Sequence, residues 1–127
     1  MSCPSGSYTV STVGAIVESA FRNCDSLTSV IIGDSVTSIG DYAFYDCDSL
    51  SSVTIPDSVT SIGERAFSGY TSLLDINVSA WNTAYASLGG VLFTKNMSVL
   101  VQFPGGVSGS YTVPNWVTSI GAYAFYS

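Results

Sequence analysis

Histidine is absent from this chain, and lysine and arginine together number only 3. Without histidine, neither a Ser-His-carboxylate triad nor a common zinc site can be assembled. Arg22, Arg65 and Lys95 stand far apart, so the sequence holds no basic patch, and 9 acidic residues set the formal charge at -6. That balance opposes nucleic acid or an anionic membrane as a partner. Charged residues make up 9% of the chain, against the usual quarter of a soluble domain. Ser, Thr, Tyr, Asn and Gly must therefore cover the surface. No apolar run is long enough to cross a bilayer, so no membrane insertion is expected. The opening MSCPSGSYTV has neither a basic segment nor an apolar stretch, and reads as lacking a signal peptide. There is no Walker lysine motif and no dinucleotide fingerprint, so no cofactor is expected.

What the chain does contain is one 23-residue unit written twice, as LTSVIIGDSVTSIGDYAFYDCDS from Leu27 and LSSVTIPDSVTSIGERAFSGYTS from Leu50. Leu27, Val30, Ile32, Val36, Ile39, Ala43 and Phe44 recur as Leu50, Val53, Ile55, Val59, Ile62, Ala66 and Phe67. A fixed period of this size marks a stacked repeat protein. No unit can bury its own apolar side, but stacked coils share one core. The length suits a single domain over 1–127, with 46% hydrophobic residues to fill it. The chain stops inside a repeat, at Tyr123 to Ser127. This reads as a fragment of a longer array or an unusually short protein.

Each full unit changes period partway. Val30 and Ile32 alternate with Ser29 and Ile31, which predicts a short strand. Gly33-Asp34 and Pro56-Asp57 are turn residues. Val36 and Ile39 are three apart and Ala43-Phe44 follow Gly40, so the second half is expected to be a compact turn or a single short helical turn, over Asp41–Tyr45 and Glu64–Ser68. The expected core comprises Phe21, Phe44, Phe67 and Phe125 with Ile39, Ile62 and Ile120. In the first, partial unit, Val13, Ile16, Ala20 and Phe21 align with Val36, Ile39, Ala43 and Phe44. The third unit starts in register at Leu73, Ile76 and Val78, then departs. From Phe67 to Phe125 is two periods plus 12 residues. The excess lies in an insertion over 80–109, where two apolar runs flank Thr94-Lys95-Asn96-Met97 and predict a β-hairpin. Tyr111 to Pro114 then returns to the parallel-strand pattern.

Of the three cysteines, Cys24 and Cys47 fall at the same place in successive units, where the third has Tyr70. They read as buried free thiols acting as small hydrophobes. A bond between them stays open, since adjacent coils bring such positions within disulfide range.

The pattern Leu-x-x-Val-x-Ile-Pro-x-Ser-Val-x-x-Ile-Gly-x-x-Ala-Phe, cleanest over Leu50–Phe67, resembles the BspA-like class of leucine-rich repeats. The long third unit looks like the longer variant of that class, with Tyr85, Gly90-Val91-Leu92-Phe93, Lys95, Leu100 and Phe103-Pro104 as its marks. The likeness covers Tyr8 to the last residue. Departures are the shortened first unit, Gly33 where Pro56 is usual, and Tyr70 in place of cysteine. The resemblance implies an α/β solenoid: a right-handed coil with short parallel strands on the concave face, short helical turns opposite and a hairpin insertion. It also implies an extracellular or cell-surface setting and a binding module rather than an enzyme. Protein ligands of the extracellular matrix or a host cell surface are the partners to expect.

Two regions could carry such binding. Outward strand positions form one row: Ser29, Ile31, Ser52, Thr54, Asp75 and Asn77, with Thr112 beyond the insertion. The bland reading is that these residues only keep the sheet soluble. Insertions in repeats commonly become loops at a binding face, and Trp81, Asn82, Tyr85, Lys95, Met97 and Gln102 join aromatic area to polar groups. Here the bland reading is local packing of Trp81 and Tyr85 on the coil. Trp116 falls at the variable position held by Ser35 and Ser58, and is a surface or end-cap candidate. Asn77-Val78-Ser79 and Asn96-Met97-Ser98 satisfy the N-glycosylation pattern. Asp46 and Asp48 read as solvated turn carboxylates, not a calcium loop. A structural spacer and a homodimer through exposed end coils are the alternatives to a protein-binding or adhesion module.

Overall fold

The first half of each unit forms a strand because its apolar residues fall on one side. Leu27, Val30 and Ile32 are buried while Thr28 and Ile31 are exposed, giving strand β3 (Leu27–Ile32). A computed structural model of the protein describes residues 3–69 and 72–125. Strands β1 (Gly6–Val10), β3, β5 (Ser52–Ile55) and β7 (Asp75–Val78) pair side by side in parallel, in that order. A second parallel sheet holds β2 (Gly14–Ile16), β4 (Val36–Ile39) and β6 (Ser61–Ile62). A third has the order β11-β10-β9-β8, from β8 (Tyr85–Leu88), β9 (Val91–Thr94), β10 (Val99–Gln102) and β11 (Ser119–Ile120).

The architecture is an all-β solenoid, which overturns the α/β expectation with its helical turns opposite the strands. Among the described residues there is no helix. The reason lies in where the backbone hydrogen bonds go. Tyr42, Phe44 and Asp46 donate to Glu64, Ala66 and Ser68 of the next coil, as Phe21 and Asn23 donate to Ala43 and Tyr45. Those N–H groups point along the stack rather than back along their own turn. Ser19, Asn23, Tyr42, Asp46 and Arg65 also adopt positive φ between 56° and 62°, a conformation that no right-handed helix contains. The three-residue spacing of Val36 and Ile39, read above as a compact turn, is instead the second parallel sheet.

Between the sheets runs one core. Phe21, Phe44 and Phe67 are buried and stacked, with ring centroids 5.1 Å apart for the first pair and 5.5 Å for the second. Ile39 is buried and Ile62 partly buried against this cluster. Ile120 and Phe125 depart from the expected core, at 45% and 49% exposure. They stand on the outermost described coil, where no further coil lies over them. In the first unit Ile16 pairs with Ile39 as aligned, but an irregularity between Gly14 and Ala15 sets Gly14, not Val13, opposite Val36, and Val13 is exposed. Tyr111 to Pro114 forms no strand, so Thr112 joins none of the sheets.

Phe67 and Phe125 are not successive core phenylalanines, because Phe103 comes between them. Its N–H donates to Ala124 O at 2.7 Å, matching the bond from Phe21 to Ala43 at 2.7 Å, and its ring lies 5.2 Å from that of Phe125. The departing stretch is therefore one long coil followed by a short one. Its expected hairpin is the antiparallel β9–β10 pair, and β8 adds a strand that the sequence did not reveal.

Of the two cysteines expected as buried free thiols, Cys24 departs and Cys47 does not. Cys24 is bonded to Cys3, with Cα atoms 5.2 Å apart, because the N-terminal segment runs beside residues 24–27 through the bond from Gly6 N to Ser26 O. No Cys24–Cys47 bond forms. Cys47 is free and buried, and its thiol donates to Phe21 O at 3.0 Å. The Tyr70 position lies outside the described residues. Burial pushes the Cys47 thiol up to about 11, and only a thiolate is reactive. The folded protein should therefore leave Cys47 unreacted with a disulfide reagent at pH 8, and a denaturant should release one thiol. Since the folded state favours the protonated thiol, its contribution to stability is whole below the unfolded pKa and is lost as pH climbs towards 11.

Candidate functional site

Parallel pairing in strict register converts the strand alternation into a grid. Ser7, Ser29, Ser52 and Asp75 lie side by side across the first sheet, as do Thr9, Ile31, Thr54 and Asn77. Neighbouring strands are about 4.8 Å apart. Six of the predicted row are thus brought together on one face, and Ser7 and Thr9 complete it. Sequence reasoning passed over those two, although alternation supplies them once Val10 is set opposite Ile32. Ile31 is 47% exposed, an apolar point among hydroxyls. Thr112 is exposed but belongs to no strand of this face.

The edge of this sheet beyond β7 is covered by the β8–β9 turn. Ile76 N donates to Gly90 O at 2.9 Å and Val78 N to Ser87 Oγ at 3.0 Å. At Gly90, φ is +83° and a Cβ would sit 2.8 Å from Asp75 Oδ1, so only glycine allows this approach.

Of the insertion candidates, some prove structural. Asn82 is fully buried and sits one period after Val59. Its Nδ2 donates to Pro56 O at 2.8 Å and Val59 O at 2.9 Å, while its Oδ1 accepts from Ala84 N and Tyr85 N, both at 2.8 Å. Tyr85 is partly buried against the core, and its hydroxyl accepts from Ile62 N at 2.9 Å. Gln102 is buried, which removes it from any binding surface. It accepts from Ser68 Oγ at 2.8 Å and donates to Phe103 O at 3.0 Å and Ala124 O at 3.1 Å.

Others stay in solvent. Trp81 is 82% exposed, and Lys95 is exposed with its Nζ donating to Ala80 O at 3.1 Å. Met97 is half-buried at the hairpin tip. Asn77 is exposed in the grid; Asn96 is exposed at the tip, its Oδ1 accepting from Thr94 Oγ1, Ser98 N and Ser98 Oγ.

A notch of about 280 Å³ opens between Glu64–Arg65 and Ala122–Tyr123, floored by Leu92, Val101 and Gln102. It arises because two residues separate Leu100 from Phe103, whereas four separate Ile62 from Phe67. Arg65 bridges it, with its Cζ 3.6 Å from the Tyr123 ring centroid and its Nη1 donating to Tyr42 Oη at 2.6 Å. Its polar walls are engaged within the fold, so it is a gap in the stack and not a reaction centre. Among the described residues no group of three or more His, Cys, Asp or Glu is placed to hold a metal ion, and no helix is long and apolar enough to cross a membrane.

The family model for the BspA-type leucine-rich repeat region, six copies long, matches residues 3–127. The chain belongs to this leucine-rich repeat family. Three solved structures resemble this BspA-type chain. A leucine-rich cell surface protein from Faecalibacterium prausnitzii shares 27% identity with a TM-score of 0.77, over 95% of this chain and 38% of that one. The pneumococcal vaccine antigen PcpA shares 25% at a TM-score of 0.66, over 88% of this chain and 34% of that one. A leucine-rich repeat protein from Eubacterium ventriosum shares 26% at 0.59, over 94% of this chain and 44% of that one. No curated protein matches. The BspA-type chain spans less than half the length of the structures it resembles. Family and fold agree on a BspA-type leucine-rich repeat solenoid.

Proposed function

We propose that this BspA-type module is part of a surface or secreted protein and binds a protein ligand through its first sheet. The observation that carries this reading is the two-row grid of Ser, Thr, Asp and Asn side chains around exposed Ile31. Such a face offers repeated hydrogen-bonding groups at fixed spacing on a rigid support, with one apolar anchor. The Cys3–Cys24 disulfide supports an oxidising, extracellular setting, as does the likeness to a leucine-rich cell surface protein. Extracellular-matrix and host-cell-surface proteins are the ligands to screen. The charge of -6 favours a basic partner, through steering that added salt weakens. Asn77 and Asn96 are accessible for N-glycosylation in a eukaryotic secretory pathway. A glycan on Asn77 would obstruct the grid; one on Asn96 would not.

The test is a binding screen on the folded monomer, with Ile31→Asp and Thr54→Arg as variants. Both side chains are exposed, so the fold should tolerate the changes. A saturable hit should weaken at least about ten-fold, or 1.4 kcal/mol. Unchanged affinity in both variants would rule the grid out, and the spacer reading would then gain. Self-association is the second reading, favoured by exposed Ile120 and Phe125. Light scattering across concentrations decides it: a homodimer through the outer coil should dissociate on Ile120→Asp.

A further inference from the structure

Neighbouring coils in the regular part are joined main chain to main chain. β5 pairs with β7 and β4 with β6, and the turns add bonds such as Phe44 N to Ala66 O at 2.9 Å. Past residue 78 this mode of attachment lapses. Among the described residues β6 pairs with β4 alone, and Phe67 N, next in the series of Phe21 N and Phe44 N, has no backbone acceptor. Two backbone hydrogen bonds then join residues 3–78 to residues 84–125: Ile76 N to Gly90 O and Gly106 N to Leu73 O. Side chains supply further links. Ile62 N donates to Tyr85 Oη, Val78 N to Ser87 Oγ and Ser68 Oγ to Gln102 Oε1. Beyond the boundary the backbone ladder resumes, with Phe103 N donating to Ala124 O and Gly121 N to Leu100 O.

The apolar interior divides at the same place. The core between the parallel sheets reaches to Leu92, with Tyr85 and Val101 packed against it, whereas Val91, Phe93, Leu100 and Ala124 form a second cluster. Strand alternation makes the partition. Leu92 faces one way and Val91 and Phe93 the other, so β9 is buried on both sides and reads as an unbroken apolar run. The notch of about 280 Å³ lies along this boundary, between residues 62–67 on one side and Val101, Gln102 and residues 121–123 on the other.

We propose that the hairpin coil and the coil after it, from Tyr85 onward, open as one cooperative unit while the parallel stack stays folded. The stability of a stack is a sum of coil and interface terms, and parts joined by a weak interface open separately. Here the interface lacks a strand pair, and the second cluster is small. The opening bears on the sheet that carries the grid. Ile76 N and Val78 N, donors at the outer edge of β7, are held by Gly90 O and Ser87 Oγ of the moving unit. Release of that unit leaves Ile31, Thr54, Asp75 and Asn77 in place and gives their sheet a free edge. A free edge is what an extended strand adds to. The unit is therefore a lid on the edge of the sheet, not on its face.

Native-state hydrogen exchange of the full chain, read residue by residue, tests this because the repeat supplies matched amides. Phe103 N and Phe44 N make the same turn bond, and Gly121 N and Gly63 N the same bond to the coil before. Phe103, Gly121, Ile76 and Val78 should share one opening, with protection about ten-fold or more below that of Phe44, Gly63 and Leu74. Tyr85→Phe and Ser68→Ala each remove one side-chain link across the boundary. Each should lower protection in the first group several-fold further and leave the second group unchanged. Equal protection within the matched pairs would overturn the proposal. So would a graded decline towards residue 125, which is fraying from the end, and so would variants that lower both groups alike or neither. Ile31→Asp, which tests the grid, should leave the exchange pattern unaltered, so the two readings fail separately.

Discussion

Phe44→Ala should cost about 3 to 5 kcal/mol and lower the melting temperature by roughly 10 to 25 °C. Phe44 is fully buried and is the middle ring of the stack, 5.1 Å from Phe21 and 5.5 Å from Phe67. Truncation removes the ring's own burial and strips one contact face from each neighbour, leaving a cavity that two coils line at once. The backbone on either side cannot close that cavity. Phe44 N and Phe21 N are tied to Ala66 O and Ala43 O, at 2.9 and 2.7 Å, so coil spacing is fixed by hydrogen bonds. Because stability in a stack is a sum of coil and interface terms, one void between central coils should uncouple the two ends. Phe125→Ala is the control. Phe125 is half-exposed, and its loss should cost only a fraction as much. Thermal unfolding followed by circular dichroism checks both; equal shifts for the two variants would mean that the stack is not the stabilising element.

The regular part of the chain was legible because each apolar position recurs with the same partner above and below. Leu27, Val30, Ile32 and their counterparts Leu50, Val53, Ile55, Leu73 and Ile76 could be assigned to the core from a period and an alternation alone, and all of these are buried. The turns were illegible for a related reason. Gly-x-x-Ala-Phe has the spacing of a helical turn, and sequence does not state that its N–H groups bond to the next coil. The grid follows from alternation, directly for Ser29 to Asn77 and for Ser7 and Thr9 once Val10 is set opposite Ile32. Cys3 was passed over because it lies outside the repeat, and long-range pairing leaves no periodic trace. Gln102 looked like a surface residue by type. It is buried because the shortened coil puts it at the place of an inward alanine, with backbone carbonyls that a side-chain amide can satisfy.

Asn82→Val should destabilise the protein even though valine is what the repeat has at this place in Val36, Val59 and Val117. By pattern alone the change restores a core residue and ought to help. Four hydrogen bonds argue the opposite. Asn82 supplies two donors to Pro56 O and Val59 O and accepts from Ala84 N and Tyr85 N, and none of the four groups gains another partner when the amide is removed. Leaving buried polar groups unsatisfied costs about 1 to 3 kcal/mol each. Valine's burial returns about 1.5 to 3 kcal/mol at most, so a net loss of about 3 kcal/mol is expected. The damage should also spread in a defined direction. Tyr85 would lose the bond that positions it, and with it the hydroxyl that accepts from Ile62 N at the open edge of β6. Hydrogen exchange should therefore accelerate at Ala84, Tyr85 and Ile62 while Val30 and Val53 stay protected. A urea midpoint equal to or above the parent's would show that the asparagine is dispensable, and that the long coil is held by its strands alone.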